Sequence, residues 1–379
     1  MKTSFVPSYY TNATRLPCLW SIHLGIVETR RDSSITGLVR ICLTRSPLAA
    51  VGVGAKDFFF PTDIGFPLSG SSGSQYVVMA TSYYNPTGSE TLTDNSGIKL
   101  YYTPVKRPTD AYSMEVGHTI SLDDTSIFLP PRMSNVVTET VCPAECTRVG
   151  LPSAGVTAFA SFLHAHSAGK SIRLKHIRNE TELPDLQAFP NFDYRRQDYE
   201  LFPNKVKILR GDILQLQCAY DTSDLSLVTL GGYAPSDERC FSFIMVYPKP
   251  RLSSCKSRIP DNLRDDFVQQ SKTAGWIVDS VNQSNADDIR HMDFTSSAAL
   301  QAWRSFWSTR VRRITCEADD PITTELIPLS TLTNLPNITS PTPFPVCPAA
   351  KPTSTSSGAR LALSVTLWVV VATKLVLLF

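Results

Sequence analysis

The chain has 379 residues, a formal net charge of +2, 18% charged residues, 27 prolines and nine cysteines. That length suffices for two domains with cores of their own, and the near-neutral balance, without a basic stripe or tail, excludes nucleic acid as the expected partner. Frequent Tyr, Phe, Thr and Val beside many prolines predict an all-β chain rich in turns.

In chain order, residues 1–47 give no assignable pattern. Met1–Tyr10 has no long apolar run of the secretory-leader type, so the expectation is an incomplete gene model or an isoform lacking its usual beginning. Arg30–Ser34 reads as a loop and Ile35–Leu43 as a strand. From Leu48 the text is more regular. Leu48–Pro61 is small and aromatic, Gly65–Pro67 is a turn, and Tyr76–Tyr84 has strand composition and stops at Asn85-Pro86. Asp94–Gly97 is a turn that precedes a strand over Ile98–Thr103. A second unit is expected over residues 111–318. Gly211-Asp212 and Gly231-Gly232 mark turns between its strands. Only Asp261–Gln270 and Ser297–Ser308 look helical, the latter with an apolar face of Ala298, Leu300, Trp303 and Trp307.

Residues 319–360 turn to Pro, Thr, Ser and Asn and predict an extended, O-glycosylated stalk. The last stretch, 361–379, is apolar apart from Lys374. As a helix it would be about 28 Å long, close to the ~30 Å hydrocarbon core of a bilayer. A membrane-spanning segment and a glycolipid-anchor signal attached near Ser356, Ser357 or Gly358 are both open.

The cysteines lack zinc-site spacing. Cys142 and Cys146 form one C-x3-C pair with no second pair to match, so disulfides and an oxidising compartment are expected. Asn12, Asn179, Asn282 and Asn337 each begin an Asn-x-Ser/Thr acceptor, in keeping with a secretory or membrane location whose ectodomain is luminal or extracellular. There is no Gly-x-Ser-x-Gly elbow, phosphate loop or His-Glu-x-x-His helix.

His164 and His166 carry the chemistry. Apolar residues on both sides (Val156, Phe159, Phe162; Ile172, Leu174, Ile177) place the pair in a strand. Residues i and i+2 of a strand share a face, so both imidazoles can reach one metal ion. A solvent-facing pair is the plainer alternative for an isolated His-x-His. Here, however, the whole run Phe162–His176 is similar to the copper-B segment of the ascorbate-dependent type II copper monooxygenases, in particular their dopamine-β-hydroxylase-like members. Ala55-Lys56, Tyr83–Pro86, Asn95–Thr103, Asn191–Asp193, Arg210–Asp212, Leu214–Tyr220, Thr229–Gly232, Glu238–Cys240 and Val246–Pro248 extend the resemblance over roughly Leu48–Cys316.

The resemblance implies two jelly-roll β-sandwich domains, the first incomplete over 48–110. It also implies two coppers per chain, ascorbate as reductant, a small catecholamine-like substrate hydroxylated with O2, and the disulfides Cys218–Cys240, Cys142–Cys255 and Cys146–Cys316. Cys18, Cys42 and Cys347 are left over. Its copper-B ligands would be His164, His166 and a Met just before the cysteine of Glu-x-Cys, where this chain has Arg239. A guanidinium has no lone pair to offer and repels a cation. Met245 is too far along the strand to replace it, and nothing in the sequence brings Met114, Met133 or Met292 closer. For copper A, the His expected before Tyr-x-Asn-Pro is Ser82, and no His-His pair exists. His23, His118, His176 and His291 have no ligand spacing; the first is not expected to bind metal, His118 and His291 read as loop or hydrogen-bonding residues, and His176 as a supporting or surface imidazole.

Three readings follow: a copper monooxygenase, a catalytically silent membrane-tethered relative that binds or supports, and a residual metal binder using His164 and His166. The missing ligands favour the second for activity, and at most one partial copper site is expected. Substrate and oligomeric state are left open.

Overall fold

Strand Phe241–Tyr247 is apolar along almost its whole length and buried on both sides. Ile244 and Val246 join one core, whereas Phe241, Phe243 and Met245 join another. A strand covered on both faces needs a continuous apolar run of this kind. In a computed structural model of the chain, the described residues are 3–8, 19–28, 47–52, 55–68, 74–83, 97–119, 125–234, 236–277, 284–318, 325–327, 331–337 and 376–378. Only the backbone is described for 3–8, 19–28, 47, 74–78, 80–83, 325–327 and 376–378.

Ten strands build the central unit: β1 (Tyr112–His118), β2 (Val136–Cys142), β3 (Val156–His164), β4 (Gly169–Arg178), β5 (Thr181–Phe189), β6 (Glu200–Ile208), β7 (Ile213–Tyr220), β8 (Phe241–Tyr247), β9 (Leu252–Arg258) and β10 (Val311–Ala318). One eight-stranded sheet runs β6-β3-β8-β1-β9-β10, with the short strands Glu325–Ile327 and Leu332–Asn334 both paired to β10. A four-stranded sheet runs β2-β7-β4-β5. Their inner faces share a core that includes Met114, Val116, Val156, Ile244, Ile172, Leu174, Leu214 and Leu216. On its other face the large sheet carries Phe159, Phe162, Phe241 and Phe243, which pack with Leu48, Phe58, Phe60, Ile64 and Phe66 from the preceding part of the chain.

One irregularity decides where the histidine pair lies. β3 carries a bulge between Ala158 and Ala160 against both β6 and β8. Before it, Val156 and Ala158 face the inner core; after it, Ala160 and Phe162 face the outer one. Because strand side chains alternate, one inserted residue reverses the face of everything that follows. Without the bulge, His164 would share the face of Val156 and Ala158.

Disulfides pair Cys142–Cys255, Cys146–Cys316 and Cys218–Cys240, with Cα–Cα distances of 5.1, 5.9 and 6.1 Å. The first two tie β2 and the helix Ala144–Gly150 to β9 and β10, and the third joins β7 to the start of β8.

The all-β expectation holds, since strands dominate and form several sheets. The expected helices are present as Asp261–Thr273 and Ser297–Trp307. The helices Ala144–Gly150 and Asn285–Arg290 are additional. They are only one or two turns long, too short to show a periodic stripe. Strands Thr3–Ser8 and Leu19–Glu28 occupy the segment that gave no pattern. The expected strand Ile35–Leu43 lies outside the described residues. The stalk expectation is corrected in part, because Glu325–Ile327 and Leu332–Asn334 add to the sheet, where the edge of β10 offers unpaired backbone groups. Of the expected membrane segment, Val376–Leu378 is a strand paired with Ser74–Tyr83, and the rest lies outside the described residues. Among the described residues no helix is long and apolar enough to cross a membrane. Asn179 and Asn337 are exposed; Asn12 and Asn282 lie outside the described residues.

His118 departs from its reading as a loop or hydrogen-bonding residue. It ends β1, is buried, and finds no hydrogen-bond partner for either ring nitrogen among the described residues. Burial, reinforced by the Arg312 charge, pulls its pKa down to about 3. Between about pH 3 and 6.5 the unfolded chain therefore binds a proton that the folded chain does not. This contribution to stability is complete above pH 6.5 and lost as pH falls, at up to about 1.4 kcal/mol per unit. His118→Leu is expected to flatten the acid limb of a denaturation-midpoint profile between pH 6.5 and 4. An acid slope equal to the wild type would refute this assignment.

Candidate functional site

β3 ends at His164, and cross-strand pairing sets that residue directly opposite Phe241 of β8. The His164 ring lies 4.4 Å from the Phe241 ring and stacks on Phe162 at 5.9 Å, centroid to centroid. His166 lies beyond the end of the strand, which corrects the expectation that both histidines sit on one regular strand. The cause is Glu238. Its carboxylate accepts hydrogen bonds from the backbone N–H of His166 (2.9 Å) and of Ala168 (2.6 Å), drawing the chain out of the ladder. A turn closed by Gly169 N–H to the His166 carbonyl at 3.1 Å then starts β4. The two imidazoles still meet edge to face, 5.1 Å apart.

His166 has a defined tautomer. Its Nδ1 lies 2.7 Å from the Asp237 carbonyl oxygen, which can only accept, so Nδ1 carries the proton and Nε2 the lone pair. This is how a metal-binding imidazole is commonly oriented. Both histidines are buried.

Arg239 enters from the segment leading into β8. Its guanidinium carbon lies 4.7 Å from the Phe241 ring and 4.5 Å from the Tyr233 ring. The Tyr220 hydroxyl donates to the Arg239 carbonyl at 3.0 Å, and the Cys218–Cys240 bridge fastens the next residue. His164 and Arg239 thus crowd the same aromatic ring. Burial lowers the Arg239 pKa, against the nearby negative charge of Glu115; a guanidinium remains protonated at neutral pH.

Glu238 itself is 1% exposed. Burial pushes its carboxyl up to about 8, although three backbone N–H groups, from Ala168, His166 and Arg239, favour the charged form. Nothing local in Glu238–Cys240 marks an acid destined to be buried, so its role is not legible in the sequence.

The remaining candidates are elsewhere. His176 is buried, not at the surface, and its Nε2 is 2.7 Å from Asp212 Oδ2. Asp212 also pairs with Arg178 at 2.7 Å. Burial raises the Asp212 pKa, but the bonds from Arg178 and His176 outweigh it and hold the carboxyl well below the usual range. His291 is exposed and meets the Asp287 carbonyl. Met245 pairs across β3 with Ala160, four positions from the His164–Phe241 pair, and Met114 faces the inner core. Ser82 pairs with Ser21, and His23 pairs with Ala80 on one strand and Ala50 on another; their side chains lie outside the described residues.

Among the described residues, the sulfurs of Cys142, Cys146 and Cys255 are the one close group of three or more His, Cys, Asp or Glu ligand atoms, and all three cysteines are in disulfides. The histidine pair supplies two imidazole donors, and Arg239 packs on the same Phe241 ring as one of them. These two donors alone do not make up the three-donor copper centre that the resemblance implies. A cavity of about 890 Å³, lined in part by Phe58, Phe192, Asp198, Tyr199 and Glu200, opens nearby. Its Tyr199 ring lies 5.5 Å from Phe162, one ring removed from His164.

Residues 109–267 match the family described as copper type II ascorbate-dependent monooxygenase, C-terminal domain. DBH-like monooxygenase protein 1 of Gallus gallus is 37% identical over 215 residues, 56% of this chain and 34% of that protein. Dopamine beta-hydroxylase of Rattus norvegicus is 31% identical over 228 residues, 60% of this chain and 36% of that protein. The chain therefore spans about a third of the length of these curated relatives. Among solved structures, the T13 particle of infectious bursal disease virus reaches a TM-score of only 0.21 at 9% identity, over 65% of this chain and 54% of that one, and carries no argument.

Proposed function

Because the chain resembles the copper type II ascorbate-dependent monooxygenases and their dopamine-β-hydroxylase-like members, we propose that it is a relative that keeps half of one metal site and does not hydroxylate. The jelly-roll form of its sandwiches is part of that reading. The observation that carries it is the guanidinium of Arg239 on the Phe241 ring, against which His164 also packs. A fixed positive charge there opposes a metal ion, and His164 and His166 alone lack the third, soft donor that favours Cu(I). Serine at position 82, where the resemblance implies a copper-A histidine, removes a ligand from the second metal and with it the electron source. A small molecule of the relatives' substrate class would then be bound without being oxidised. Three disulfides support an oxidising compartment along the secretory route, and exposed Asn179 and Asn337 suit glycosylation.

Copper content and ascorbate-dependent oxygen uptake, measured on the same purified sample, test this reading. The expected result is at most one weakly held copper per chain and no uptake above the metal-free control. Two coppers per chain with steady uptake would overturn it.

A further inference from the structure

Arg239 stands where a metal donor is implied, and it lacks an acceptor of its own. Its Nε is buried with no hydrogen-bond partner, and it forms no ion pair among the described residues. The acids around it are committed elsewhere. Glu115, whose charge reaches Arg239, pairs with Lys256 at 3.3 Å. Both oxygens of Glu238 hold backbone N–H groups. Asp237 Oδ2 accepts from the Ala234 N–H at 3.0 Å. A buried guanidinium nitrogen without an acceptor is unfavourable, and a planar fork flanked by aromatic rings is the usual receptor for a carboxylate.

We propose that the Arg239 guanidinium forms an anion site that takes a small aromatic carboxylate. The carboxylate supplies the guanidinium with an acceptor. Tyr233, 40% exposed at the rim, supplies the surface for the ligand's ring. The site thus holds an anion where a metal-binding relative would hold a cation. The inference goes beyond the proposed function, because it requires only that the guanidinium is in place, whatever becomes of oxygen chemistry.

The test is calorimetric titration of the full chain with benzoate, and separately with acetate, in a metal chelator at pH 7. Benzoate is expected to bind one site per chain, more tightly than acetate. Arg239→Gln should weaken benzoate at least tenfold, and Arg239→Lys should weaken it less. Tyr233→Leu, a change at the exposed rim, should weaken benzoate but leave acetate unchanged. Thermal denaturation of each variant confirms that it is folded. No wild-type binding at 10 mM benzoate, or equal binding by the wild type and folded Arg239→Gln, would overturn the proposal. The chelator keeps this outcome separate from the copper measurement.

Discussion

Arg239→Met is expected to bind Cu(I) at least about 30-fold more tightly than the wild type. A unit charge about 8 Å from a monovalent ion opposes binding by about 2 kcal/mol at an effective dielectric constant of about 20, equivalent to a factor of about 30. Removing the guanidinium relieves that repulsion, and the thioether adds a soft donor suited to Cu(I). The backbone is already fixed on both sides of the position, by the Tyr220 hydroxyl on the Arg239 carbonyl and by the Cys218–Cys240 bridge. The substitution also removes a buried nitrogen that has no acceptor, so the fold should tolerate it. Competition against a Cu(I) chelator of known affinity measures the change. Equal affinities would mean that position 239 does not face the metal-binding side of the imidazoles. Oxygen uptake should stay absent in the variant, since Ser82 is unchanged.

Glu238→Ala should lower unfolding stability by about 2–5 kcal/mol, because it orphans the buried N–H groups of His166 and Ala168 together. Loss of this clamp should also release the turn into β4, and the separation of the two imidazoles with it. Denaturant unfolding reads the first effect, and hydrogen exchange at His166 and Ala168 reads the second. A variant as stable as the wild type, with both amides still protected, would show that the carboxylate does not hold the loop.

The sequence made parts of this site legible, and the reasons differ from residue to residue. His164, His166 and Arg239 could be named because they stand in runs similar to a known family. Their approach depends on pairing His164 with Phe241, seventy-odd positions away, and no local pattern reveals such a pairing. The expected strand over His164–His166 reaches only its first residue. Apolar alternation carries the ladder to His164, but an acid from a distant segment ends it there. The bulge in β3 was invisible, because Ala158, Phe159 and Ala160 suit either face of a sheet buried on both sides. Strand Leu19–Glu28 did carry a signal in Ile22, Leu24 and Ile26 at alternate positions. His118 and Glu238 share another difficulty: their properties come from burial, and residue type alone argues for the surface.

The measurement that bears most directly on the account is nitrogen NMR of the histidine rings during titration with Ag(I), a redox-silent mimic of Cu(I). With any free thiols alkylated beforehand, the ring nitrogens of His164 and His166 in the wild type should shift at most slightly and without saturation at one equivalent of metal, whereas in Arg239→Met they should shift together and saturate at one equivalent. If both rings of the wild-type protein shift and saturate at one equivalent, the guanidinium does not disable the pair and the account is contradicted.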